Sequence, residues 1–172
     1  RGTTAVSGSL TLTSGAHAIV GDLRVFGNLS VDGGATVECD EDDATGLARV
    51  RVSDTMFVGE ASTLKFNNAF TVSAWDFDVR GEMELSNGDH TVTGPMTVAG
   101  ELTVGNGFHT FDGDVEVGGS MTFGTGTHVI TGQVRIADSA VFTVAGTTNV
   151  TNVTVLGTLE VSGKCGLGGL AV

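Results

Sequence analysis

The side chains able to do chemistry are few: four histidines, two cysteines and one run of acids. His17, His90, His109 and His128 each stand two residues before an apolar residue, namely Ile19, Val92, Phe111 and Ile130. Positions i and i+2 of a strand share a face, so the four imidazoles are expected on the inner side of their strands, near a corner. Imidazole suits zinc, copper and nickel. His90, His109 and His128, however, recur at intervals of nineteen residues. On paired strands that interval stacks the rings in a straight line about 4.8 Å apart, and ligands stacked in line diverge poorly towards one ion. No carboxylate or thiolate shares the column, and Ala35, Phe70 and Thr148 occupy it in other repeats. The reading is a structural ladder of neutral imidazoles, because desolvation disfavours charge. No metal or cofactor is expected.

The acids and the remaining polar groups offer little else. Glu38-Cys39-Asp40-Glu41-Asp42-Asp43 puts five acids among six residues. Calcium takes 6–8 oxygen ligands, but neither an Asp-x-Asp-x-Asp-Gly loop nor a Gly-Gly-x-Gly-x-Asp repeat is present, so this run reads as a solvated acidic loop. Asp112, Asp114 and Glu116 lie close in sequence, as pairs must somewhere in a chain with 20 acids. Inward histidines cannot complete a Ser/His/Asp triad, and no phosphate-cradling glycine loop precedes a helix. The chain is therefore read as non-enzymatic. Eight Lys and Arg against 20 Asp and Glu give a formal charge of −12, which argues against nucleic acid and anionic membrane surfaces. No apolar run approaches the roughly 20 residues of a membrane-spanning helix.

What positions these groups is a repeat. Stepping back from Val117 by nineteen reaches Val98 and Val79, and stepping forward reaches Ile136 and Val155; Val6 and Val25 are also nineteen apart. Val58 to Val79 is 21 residues and Val25 to Val58 is 33. Eight copies then fill the chain, with an insertion at 38–52 whose second half alternates like an additional strand. Each copy runs apolar-x-apolar, glycine corner, apolar-x-apolar, corner, x-x-apolar. Strands this short bury little as hairpins, whereas three per turn, each paired with its equivalent in the next turn, satisfy both period and length. The expectation is all-β: one parallel β-solenoid domain over residues 1–172, of about eight three-sided coils. Gly8, Gly27, Gly81, Gly100, Gly119 and Gly157 fall at one recurring corner, read as a place that needs positive φ.

The ends carry the functional expectation. The first coil, with Val6 and Leu10, and the last, with Val161 and Leu170, already have the interior pattern, and neither offers a cap. An uncapped edge recruits another strand, and a contact between opposite ends of identical molecules does not close. The chain is thus expected to stack end to end into a filament. Cys39 and Cys165 sit about six coils apart, roughly 29 Å, too far for an intrachain bridge, so an intersubunit Cys39–Cys165 disulfide is expected to staple the stack. A disulfide implies an oxidising compartment. Asn28, Asn149 and Asn152 head N-glycosylation sequons, which also fits an extracellular or cell-surface protein.

Short apolar-x-apolar strands with glycine corners resemble two groups of solenoids over nearly the whole chain. One is the adhesins of the filamentous haemagglutinin type; the other is the bactofilins, which polymerise through uncapped ends. The first resemblance implies a module that presents a face to a glycan or surface receptor, as an adhesin or tail-fibre segment does. The second implies a homopolymer. The filament is the leading expectation and the recognition module its alternative.

Overall fold

The computed structural model describes residues 3–41 and 48–172. Among them there is no helix; short strands pair in parallel with the equivalent strand one turn away, all in one sheet wound on itself. The protein is a parallel β-solenoid of about nine turns. Each turn visits three faces, A, B and C, in that order. Face A carries Met96–Val98 and Val115–Val117, face B carries Glu101–Val104 and Ser120–Phe123, and face C carries His90–Thr93 and Phe108–Asp112.

Alternation fixes what goes inside. In Glu101–Val104, Leu102 and Val104 are buried while Glu101 is exposed and Thr103 half-buried. The inward columns run continuously: Met83, Leu102, Met121 and Phe142 on face B, and Phe77, Met96, Val115 and Val134 on face A. Buried phenylalanines meet at the axis: Phe123 of face B lies 5.4 Å from Phe111 of face C and 5.0 Å from Phe142 in the next turn of its own face, between ring centroids.

The period is as expected, but its phase differs in the first turns. Val25 pairs with Val52 on face C, and it is Val31 that pairs with Val58 on face A. Both steps are 27 residues, eight more than the 19 of Thr3 to Asp22. The step is 19 at Thr13–Asp32, 20 from Gly15–Ala35 to Val20–Asp40 and 27 at Leu23–Val50, which places one of the extra eight residues at the corner before Ala35 and the other seven between Asp40 and the Ala48–Val52 strand. Ala48–Val52 is therefore the ordinary face C strand of its turn and not an added one. Asp42 and Asp43 of the acidic run lie outside the described residues.

The corner glycines are required for a different reason from positive φ. None of Gly27, Gly81, Gly100, Gly119 and Gly157 has φ in the left-handed region. A Cβ on Gly100 would instead fall under 3.0 Å from the Gly81 carbonyl oxygen of the preceding turn, and one on Gly119 under 3.0 Å from that of Gly100. Gly8, with no described turn before it, has nothing within 4 Å. Close stacking of backbone on backbone demands these glycines. Left-handed φ is used elsewhere, at Gly33, Gly34, Ala61 and Ser139 among others.

Candidate functional site: the histidine column and the coil ends

Among the described residues, one inward column, on face C, sets buried histidine and threonine side chains in line with apolar ones. Ala48, Phe70, His90, His109, His128, Thr148 and Cys165 follow one another down it. The three histidines are at most 1% exposed. Their rings are nearly parallel, with centroids 5.2 Å apart for His90–His109 and 5.1 Å for His109–His128. Phe123 closes the stack from face B, 4.4 Å from the His128 ring.

The corner ahead of this column is held by asparagines that hand hydrogen bonds from turn to turn. The Asn106 backbone N–H donates to Asn87 Oδ1 at 2.8 Å, and that of Thr125 to Asn106 Oδ1 at 2.7 Å. This fixes the corner carbonyls that meet the rings. His90 Nε2 lies 3.1 Å from the Ser86 carbonyl oxygen and His128 Nε2 3.1 Å from that of Gly124. A neutral imidazole donates there from Nε2, leaving Nδ1 as a bare acceptor. Nδ1 of all three rings has no partner, and His109 Nε2 has none either; the Gly105 carbonyl near it slightly favours protonation without reaching hydrogen-bond geometry. Burial lowers the pKa of His90 and His128. His109 is lowered to about 4, by burial first and then by the charges its two neighbours would carry.

His17 does not belong to this column. It pairs with Val37 on face B, one face before face C in the thread, is only partly buried, and has Nε2 3.0 Å from the Ser14 carbonyl oxygen. The phase shift of the first turns explains the difference: Leu10 and Leu12 occupy face A, so His17 and Ile19 fall on face B. Ala35 is likewise off the column. Among the described residues no group of three or more His, Cys, Asp or Glu is arranged to hold a metal ion.

Cys39 is a core residue, 1% exposed, roofed by Ile19 of the first turn and floored by Phe66. Burial, with a smaller push from Asp40, raises its thiol to about 12. Cys165 ends the face C column, half-buried, with a pKa raised by burial. The two cysteines stand on different faces, and the turns on either side enclose the Cys39 sulfur. The geometry gives the expected intersubunit staple no support.

At both ends the ladder stops with strands paired on one side only. Among the described residues, Thr3–Val6 pairs only with Asp22–Val25, and Thr158–Val161 only with Val141–Val144. Val6, Leu10, Leu12 and Ile19 are partly buried, whereas their equivalents one turn on, Val25, Leu29, Val31 and Cys39, are at most 1% exposed. An open depression of about 440 Å³ lies there, lined by Leu10, Leu12, His17, Ile19 and Leu23 among others. At the other end Val161 is 44% and Leu170 56% exposed. Asn28, Asn149 and Asn152 are all exposed, Asn28 accepting the Thr55 backbone N–H at 3.1 Å. Exposed aromatics are more prominent than the sequence suggested: Trp75 is 77% exposed, Phe108 50% and Phe26 49%. Each sits at a strand end or corner, where the two-residue alternation loses its meaning.

The stacked turns and their continuous inward columns define a parallel β-solenoid repeat protein. Comparison with family models, with curated proteins and with solved structures found no match.

Proposed function

We propose that the chain is a non-enzymatic structural subunit that stacks end to end into an extracellular filament. The observation that carries this reading is the complementarity of the two end turns. Each presents one-sided strands, and each presents the apolar residues that every inner turn buries. Parallel pairing plus burial of those residues supplies the affinity, at about 25 cal/mol per Å² of apolar surface removed from water. The sequons fit an extracellular setting.

In such a stack Thr3–Val6 of face C would pair in parallel with Thr158–Val161 of face B on a second copy, the two copies turned by one face, about 120°. Val161 then covers Val6, and Leu167 covers Leu12. The axial step is roughly 42 Å, just under nine turns at about 4.8 Å each.

Electron microscopy of the purified chain tests this. Filaments with an axial step near 42 Å support the reading, and Leu170→Asp should shorten or abolish them. Discrete rods at high protein concentration overturn it. A second reading draws on Trp75, whose exposed indole is the kind of surface that stacks on a sugar: a recognition module, adhesin-like, presenting one edge of the solenoid to a glycan. Rods that bind a glycan array through Trp75 favour that reading over the filament.

A further inference from the structure

Three rings on successive turns share one property: they are buried, they can take up a proton, and among the described residues no charged side chain is buried beside them. Apart from Ser62, these histidines and Thr148, every buried side chain among the described residues is apolar. The charged groups on the strands packed around the column all stand on the outer surface: Glu82 and Glu84, Glu101, Asp76 and Asp78, Glu116 and Arg135. Asp89 and Asp112, which flank the column's own strands, are exposed, and Asp89 Oδ1 accepts the Phe108 backbone N–H at 3.0 Å. No carboxylate is therefore available inside to receive an imidazolium.

A proton added to His90 or His128 must go on Nδ1, because Nε2 already donates to a corner carbonyl, and in His109 neither nitrogen has an acceptor to offer it. That creates a buried N–H with no acceptor, a cost added to that of burying the charge. A second proton one turn away places two positive rings about 5 Å apart. Opening the turns removes both penalties at once, since water solvates the imidazolium.

We propose that the His90–His109–His128 column is an acid-triggered release: below pH 6.5 the turns that carry it separate before the rest of the solenoid does. The sign follows from linkage. The ring pKa values are lower folded than unfolded, so the open form binds more protons, and stability is complete above about pH 6.5 and falls as pH drops towards the folded values. For His109 alone, shifted from 6.5 to about 4, the open population at pH 5 rises about 30-fold over that at neutral pH. The release does not depend on end-to-end stacking and should occur in single rods.

Hydrogen exchange of the intact chain, read by mass spectrometry at pH 7.5 and pH 5 and corrected for the intrinsic rate, tests the proposal. Peptides covering residues 86–131 should lose protection by about 30-fold or more, while peptides covering 29–37 and 55–66 keep theirs. His109→Phe, which places in the column the residue type already present at Phe70, should remove most of the difference at pH 5. Equal loss of protection along the chain, or none, overturns the proposal. So does a set of histidine resonances that titrates near 6.5 with the fold intact, a reading that needs no variant to fold.

Discussion

Gly118 and Gly119 are adjacent, occupy the same corner, and should respond to the same substitution in opposite ways. A Cβ on Gly118 meets its nearest atom, the Val98 carbonyl oxygen, at 3.7 Å, an ordinary contact. A Cβ on Gly119 lies under 3.0 Å from the carbonyl oxygens of both Gly100 and Ala99 in the turn above. Restoring a normal contact there requires the two turns to part by about 1 Å, since carbon and oxygen are comfortable only beyond roughly 3.3 Å. The bonds that hold the corner, Gly119 N–H to Val98 O and Ser120 N–H to Gly100 O, are both 2.9 Å long. Parting by that distance breaks them. Losing two backbone hydrogen bonds, each worth about 1–1.5 kcal/mol net, gives about 3 kcal/mol for Gly119→Ala. Gly118→Ala loses nothing and restricts the unfolded chain, so it should be neutral or stabilising by up to about 1 kcal/mol. Chemical denaturation followed by circular dichroism measures both, and the melting temperatures should separate by roughly 6–12 °C. Similar stability for the two variants would refute the argument that backbone contact between turns selects these glycines.

Other consequences follow from the same geometry. Iodoacetamide at pH 8 should modify Cys165 before Cys39, and should reach Cys39 only in denaturant, because its thiol is enclosed and raised to about 12; mass spectrometry of the two peptides reads the order. Phe123→Ala should cost about 3–5 kcal/mol in a denaturant titration, because the ring is fully buried against Phe111, Phe142 and His128 and the hole it leaves cannot collapse. Glu116→Gln should change stability by less than about 0.5 kcal/mol, although it removes the ion pair with Arg135, because both side chains are half exposed.

The period was legible because alternation, short strands and glycine corners all repeat with the turn. The phase was less so. All three faces carry an apolar-x-apolar pair, so Val25-centred and Val31-centred alignments look equally regular, and only the pairing of Val31 with Val58 decides between them. The same ambiguity drew His17 into the histidine column and made Ala48–Val52 look like part of an insertion. Where copies followed at nineteen without interruption, as from His90 to His128, the sequence placed the column and its burial correctly. The corner glycines were located but misread, since spacing shows that a side chain is unwelcome and not whether torsion or a neighbouring backbone excludes it.

A chain of near-identical turns faces a problem that apolar packing cannot solve. Val, Leu, Met and Phe succeed one another on faces A and B with little distinction, so a slip by one whole turn would keep those columns apolar. Such degeneracy invites alternative registers. The face C column is different: a slip would set His90 against His128 and His109 against Thr148, and would separate Asn87 from Asn106 and Asn106 from Thr125. The unpartnered Nδ1 atoms cost stability, but the column and the asparagine corner mark each turn by position. Replacing all three histidines with valine should therefore leave stability intact or raised at neutral pH while doubling resonances from residues 86–131 in an NMR spectrum. A single sharp set of resonances would show that loop length alone, the 27-residue step above all, sets the register.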